Sequence, residues 1–275
     1  MSKIYQFSFD VGRFLVCPGR KLYGFLIRSK VKPGALAEIA SIPARHGVTI
    51  LHLTFSRTLS PEKPITALAF LDFTDSNVSP EVLAEEAEKL DFVEEVKIIE
   101  PKVEGFIADT VSNPLMLGEN RAIILRDTGY KGLIVRIKER IGSGAEAILY
   151  YLGFEAGLEY GKKHREMGEK LGVKDPATIY RDISSSMFNC VGYGIMETVE
   201  ISKNPPYALI RVYNCFECDL QQGAGKFSSH LVRGMIAGVL TELLGVKMFA
   251  EEIKCIAKGD PYCEFKVTPE KQNVT

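Results

Sequence analysis

The chain has 275 residues, of which 46% are hydrophobic and 25% are charged, and this is the composition of an ordinary folded protein. Its formal net charge of −1 provides no long-range attraction for polyanions, so we expect neither direct DNA binding nor a membrane partner. The sequence lacks both a bilayer-length apolar run and the charged-then-apolar layout of a signal peptide, so it predicts a cytoplasmic protein, and its length favours two domains.

The first hundred residues predict a short extension followed by a βαββαβ domain. Residues 1–20 form the extension, to which we assign no function, and residues 21–101 form the domain. Pro33-Gly34 separates the first strand from the first helix, and Pro80 suits the first position of the second helix. This order is typical of a ferredoxin-like sandwich, in which helices cover one face of an antiparallel sheet. The predicted strands are 21–31, 48–57, 64–74 and 92–99, and the first helix is 35–46.

The turn Pro33-Gly34-Ala35-Leu36, together with this order of elements, resembles the ACT domain. ACT modules in metabolic enzymes and regulators commonly bind amino acids and commonly pair. The resemblance therefore implies a homodimer, and an amino-acid site at Gly34, Ala35 and Leu36, where the first helix presents free N–H donors. The alternative is a turn and capped helix that make only a dimer or domain contact.

Residues 102–268 predict a second α+β domain, in which helices pack against an antiparallel sheet. We place the boundary at the break in pattern over residues 101–105. The longest helix, 145–168, and the nearly all-apolar helix 228–244 carry glycines at a spacing that suits close helix packing or a bound molecule. His164 lies in the polar end of the longest helix and is predicted at the surface. The other predicted elements are helices 127–141 and 175–191, strands 192–201 and 207–213, a hairpin at 246–267, and a polar tail at 269–275.

Six cysteines occur at uneven spacing, which indicates reduced thiols or metal ligands rather than a disulfide framework. Cys255 and Cys263 lie symmetrically about Gly259, in the turn of the predicted hairpin, so they fall on the same face of the ladder. Two such thiols can share a metal, form a disulfide, or be buried as small apolar groups. Cys215-x2-Cys218 precedes the apolar helix, and two cysteine pairs of this kind are a recognised zinc arrangement.

The apolar helix, followed by Glu252-x2-Cys255 and Gly259-Asp-Pro-Tyr-Cys263, resembles the 4-vinyl reductase domain family. That family includes a protein of bacteriochlorophyll synthesis and the aromatic-sensing modules of certain bacterial transcription activators. It shares its fold with small subunits of a vesicle-tethering complex. The resemblance implies an apolar cavity for a small organic molecule, with a zinc ion beside it.

The resemblance also implies particular site residues. Glu252, Cys255 and Cys263 match three zinc ligands of the phenol-sensing members, whereas the fourth ligand position is Ser229 here. Serine is a poor zinc ligand, so a neighbouring thiol or imidazole has to replace it. The predicted metal ligands are Cys218, Glu252, Cys255 and Cys263, with His230 or Cys215 as substitutes. The predicted cavity residues are Tyr151, Phe154, Leu158, Phe188, Phe227 and Leu231, and simple core packing is the alternative for each.

These features predict a regulatory protein that senses a small hydrocarbon, aromatic compound or amino acid, contains structural zinc, and acts through a protein partner. The sequence shows neither a phosphate-binding loop nor a dinucleotide fingerprint, and no base–nucleophile pair can be recognised, so we do not expect an enzyme. Two alternatives remain. One is a scaffold module like the vesicle-tethering subunits, and the other is a component of a tetrapyrrole vinyl reductase.

Overall fold

The computed structural model describes residues 8–56, 60 and 62–271, and the chain divides into two compact units, Met1–Ile123 and Ile124–Thr275. The division falls later than the boundary predicted at 101/102. Parts of the predicted extension and tail, and the predicted end of a strand at Arg57, lie outside the described residues. None of the helices in the described part of the chain has the length and hydropathy that crossing a bilayer requires.

The first unit contains a four-stranded antiparallel sheet with two helices on one face. The strands follow the order β3-β4-β2-β5. Gly34 precedes α1 with a φ of 85°, a left-handed conformation that favours glycine, and Pro80 is the first residue of α2. The elements are β1 (Phe14–Val16), β2 (Leu22–Ser29), α1 (Ala35–Arg45), β3 (Thr49–Phe55), β4 (Ile65–Asp72), α2 (Pro80–Glu88), β5 (Val93–Ile99), β6 (Phe106–Ala108), β7 (Met116–Leu117) and β8 (Asn120–Arg121).

Both faces of this sheet are apolar, and this explains why the unit extends beyond the predicted boundary. One face packs Phe25 and Phe73 against the helices. On the other face, Phe70 packs in a second core with Ile107 of β6. Because β6 pairs with β1, residues on either side of the βαββαβ domain together cover the second face. The sequence pattern did not reveal this pairing because each of the two strands has only three residues.

The second unit is α+β, as predicted, with helices and a four-stranded antiparallel sheet of order β11-β12-β10-β9. Residues 127–141 form α3, which has a π-helical stretch at Lys131–Arg136. Residues 176–190 form α5, with a similar stretch at Ile179–Ser184. The other elements are α4 (Ser143–Lys170), β9 (Ile195–Lys203), β10 (Pro206–Tyr213), α6 (Phe216–Asp219), α7 (His230–Leu244), β11 (Met248–Lys254) and β12 (Cys263–Pro269).

Helices α4 and α7 pack so closely that their backbones touch. A Cβ atom at Gly157 would lie 2.4 Å from the carbonyl oxygen of Met235, and one at Gly238 would lie 2.1 Å from the carbonyl oxygen of Phe154. A real Cβ atom does not approach another atom so closely, so these positions require glycine. Of the two interpretations of the glycine spacing, the structure shows close helix packing at this seam.

Candidate metal site

Four of the predicted ligands lie together at one buried point. Cys218 belongs to the short helix α6, Glu252 to β11, Cys255 to the residue after that strand, and Cys263 to the start of β12. Their ligand atoms all lie within 4.8 Å of one another, and all four residues are buried. Two segments about 37 residues apart, namely α6 and the terminal hairpin, therefore form the site together.

Ser229, at the position where the resemblance implies a fourth ligand, lies among these groups. Its Oγ is 2.8 Å from Glu252 Oε1 and 2.8 Å from Cys218 Sγ. Its backbone N–H also donates to Glu252 Oε2, at 3.1 Å. Ser229 thus holds the carboxylate and the Cys218 thiol side by side. The fourth donor of the cluster comes from α6 instead of the start of α7, and the serine fixes the position of its partners.

Burial dominates the electrostatics of the cluster. It raises the pKa of Glu252 to about 8, and the hydrogen bond and charge of Cys255 raise that pKa further. The pKa of Cys218 is raised because the neighbouring thiols Cys215, Cys255 and Cys263 compete for charge. Hydrogen bonds from Cys218 and Cys263 lower the pKa of Cys215 to about 5. A divalent cation at this point would neutralise the crowded donors and favour their ionised forms.

The donor set suits zinc. Zinc binds thiolate sulphur at about 2.3 Å with tetrahedral geometry, which separates two ligand sulphurs by about 3.8 Å. Here the sulphurs of Cys218 and Cys255 are 3.4 Å apart. The protein would close on the ion with shifts of a few tenths of an ångström, and three thiols plus one carboxylate would complete four-coordination.

Behind the cluster lies a buried ion pair that the sequence did not suggest. The fully buried carboxylate of Glu217 accepts hydrogen bonds from the backbone N–H groups of Leu231 and Val232, which satisfies the first turn of α7. Lys138 of α3, also buried, places its Nζ 3.7 Å from that carboxylate and donates to the carbonyl of Ser228. Burial raises the pKa of Glu217 to about 7, although Lys138 opposes the shift. One sequence signal was present, because Lys138 shares the buried face of α3 with Ile134.

The two predicted substitute ligands lie beside the cluster. Cys215 is fully buried and has its Sγ 3.9 Å from Ser229 Oγ. His230 does not belong to the four-residue group. Its Nε2 instead lies 3.6 Å from Glu146 and its Nδ1 3.5 Å from Arg233. The structure therefore gives Cys218, not His230, the place nearest the other donors.

The six residues predicted to line a cavity do not share one environment. Phe154 and Phe188 are buried in the core of the second unit, and Leu158 and Leu231 pack against that core. Tyr151, by contrast, is 62% exposed. Phe227 is 37% exposed, and the Lys258 ammonium lies 3.9 Å from the centre of its ring. The prediction that Tyr151 and Phe227 line an enclosed chamber is therefore not met, because both lie at the surface.

In the first unit, the three residues predicted to contact an amino acid form the start of α1. A Cβ atom at Gly34 would meet no other group within 4 Å, so the left-handed φ, and not a close approach, accounts for the glycine. Ala35 is the first residue of the helix. Leu36 is 49% exposed and lines a small apolar groove of about 40 Å³ beside β3, with Ile39 and Phe55 among its neighbours.

Comparison with known proteins agrees with the hairpin geometry. Residues 209–269 match the family model of the 4-vinyl reductase domain. This 4-vinyl reductase segment contains Cys218, Ser229 and the terminal hairpin. An uncharacterized protein of Methanocaldococcus jannaschii is 30% identical over 126 residues, which cover 46% of this chain and 66% of the relative. The chain thus spans just under two thirds of that relative.

Two solved structures are similar to parts of the chain. The phenol-responsive sensory domain of the transcription activator PoxR is 17% identical, with a TM-score of 0.50 over 56% of this chain and 79% of that one. At this identity the likeness shows a shared fold. The ACT domain of GTP pyrophosphokinase from Chlorobium tepidum is 15% identical, with a TM-score of 0.25 over 29% of this chain and 99% of that one.

Proposed function

We propose that this protein is a regulatory sensor, in which a small organic molecule binds to the second unit beside a structural zinc ion. The observation that carries the proposal is the buried group of three thiols and one carboxylate within 4.8 Å. It lies in the 4-vinyl reductase segment and in a fold shared with a phenol-responsive domain. A buried cluster of this kind is costly without a cation, because its groups desolvate and repel one another.

In this proposal Cys218, Glu252, Cys255 and Cys263 hold the zinc. The ion joins α6 to the terminal hairpin, and its binding free energy adds to the folding free energy of the second unit. The site has no free coordination position, so zinc here stabilises the fold and does not activate water. The protein acts through a protein partner and not as an enzyme.

Elemental analysis of protein purified without chelator tests the metal site. We expect about one zinc per chain, and the Cys255→Ser variant should lose most of it and melt at a lower temperature. Cys190→Ser is the matched control, because Cys190 is exposed and should leave both quantities unchanged. Stoichiometric zinc with an unchanged melting temperature in Cys255→Ser would refute the ligand assignment.

Calorimetry with phenol as the probe tests the ligand. The chain has no tryptophan, so differential scanning calorimetry is preferable to intrinsic fluorescence. A ligand that binds the native state raises the melting temperature in proportion to RT ln(1 + [L]/Kd). We expect phenol to stabilise the zinc-bound protein more than cyclohexanol does at equal concentration. Equal effects of the two compounds would argue against an aromatic site.

For the first unit we propose an ACT-like module that pairs with a second copy and binds an amino acid at Gly34, Ala35 and Leu36. Support comes from the βαββαβ order and from exposed apolar side chains near the edge strand β3, namely Leu53 and Phe55. Light scattering should show a dimer that Leu53→Lys weakens. A monomer over a wide range of concentration would refute the pairing.

A further inference from the structure

The closest pair of sulphur atoms in the cluster joins distant parts of the sequence. Cys218 Sγ and Cys255 Sγ are 3.4 Å apart, although 37 positions separate the residues. All six cysteines are free thiols. A disulfide has an S–S bond of about 2.05 Å, so the two sulphurs have to approach by about 1.4 Å to become bonded.

We propose that Cys218 and Cys255 are a redox pair that a low-molecular-weight disulfide converts into an intramolecular disulfide. The Cys218 thiolate attacks one sulphur of the small disulfide, which forms a mixed disulfide and releases one small thiolate. The Cys255 thiolate then attacks the Cys218 sulphur and releases the second small thiolate. The two protons of the protein thiols pass to the released thiolates. Two cysteines are oxidised, and one small disulfide is reduced to two thiols.

The elements that carry the pair allow this approach without disturbing the core helices. Helix α6 has four residues, and Cys218 is its third. Cys255 directly follows β11, where the register with β12 shifts between Glu252 and Lys254. A short helix and an irregular strand end open at lower cost than a central element does. Such local opening admits the small disulfide to the buried thiols, while α4 and α7 remain packed.

The disulfide and the zinc ion exclude one another, because each uses the sulphurs of Cys218 and Cys255. This clause rests on the proposed zinc site, whereas formation of the disulfide does not. Bound zinc should protect the pair from oxidation, and oxidation should prevent zinc from binding. Metal occupancy would then depend on the thiol–disulfide balance around the protein.

The test uses the full-length, reduced, chelator-treated protein with oxidised glutathione. Mass spectrometry after digestion without reductant should find a peptide that links Cys218 to Cys255, and a loss of about 2 Da from that linked species. Exposed Cys190 is an internal control, because its glutathione adduct shows that the oxidant was active. Cys255→Ser should abolish the link, and Cys17→Ser in the first unit should retain it.

Two results would overturn the proposal. One is modification of Cys190 while Cys218 and Cys255 remain thiols, and the other is a predominant link between a different pair. In a second arm, zinc added before glutathione should suppress the link. If zinc does not bind, this protection fails while the link in chelator-treated protein still forms, so failure of the metal site is distinguishable from failure of the redox pair.

Discussion

His164 illustrates how the structure changes the interpretation of a single residue. The sequence places it in a polar stretch and predicts exposure, which is wrong. It is buried on the inner face of α4, and its Nδ1 lies 2.9 Å from Ser184 Oγ. Burial lowers its pKa to about 4, below the ordinary value of 6.5. The folded protein therefore holds a neutral imidazole at a pH at which the unfolded chain already binds a proton.

This difference predicts a pH dependence of stability. Because the pKa is lower in the folded state, the unfolded chain binds more protons, and the free energy of unfolding decreases as the pH falls from about 6.5 to about 4. The loss should be on the order of 2–3 kcal/mol. Urea unfolding of the protein and of His164→Gln across this range checks it. The two curves should converge toward low pH, and parallel curves would contradict the assignment.

The buried ion pair of Lys138 and Glu217 gives a second prediction at this scale. Lys138→Met leaves the Glu217 carboxylate buried without its cation, and this should cost about 3–5 kcal/mol of unfolding free energy. Adding Glu217→Gln should restore part of the loss, because the amide oxygen can still accept from the N–H groups of α7. Urea denaturation of the two variants measures both effects. A double variant as unstable as the single one would mean that charge is not the cause.

At the scale of elements, the seam between α4 and α7 depends on the absence of side chains. Gly157→Ala would place a Cβ atom 2.4 Å from the Met235 carbonyl oxygen and force the helices apart. We expect a loss of on the order of 2–3 kcal/mol from overpacking. Gly132→Ala in α3 is the matched control, because a Cβ atom there meets nothing within 4 Å.

Thermal denaturation of these two variants provides the measurement. Alanine favours a helix over glycine, so Gly132→Ala should be neutral or slightly stabilising. If Gly157→Ala behaved in the same way, the helices would not be in backbone contact in solution. The same comparison at Gly238 examines the other side of the seam, where the Phe154 carbonyl oxygen is 2.1 Å from the added atom.

At the scale of the whole molecule, the division into Met1–Ile123 and Ile124–Thr275 predicts two unfolding transitions. The proposed zinc ligands all belong to the second unit, so a chelator should lower one transition and leave the other in place. Differential scanning calorimetry with and without chelator tests this. Equal shifts of both transitions would show that the units unfold together or that the metal lies elsewhere.

Much of the architecture follows from local sequence signals. Pro33-Gly34 and Pro80 mark helix starts, and Gly245 ends the apolar helix, because their backbone preferences act on immediate neighbours. The spacing of glycines in α4 and α7 predicted close packing. The terminal hairpin brings Cys255 and Cys263 to one place through a short turn, so its sequence alone suggested that pairing.

Tertiary structure decided the features that join distant segments. Ser229 between Cys218 and Glu252, and Lys138 beside Glu217, depend on packing of elements far apart in the chain, and no short-range pattern specifies such contacts. Burial of His164 likewise depends on what α4 packs against. Local backbone preference fixes where helices and strands begin and end, whereas the free energy of burying charged groups and thiols depends on neighbours that only the folded chain supplies.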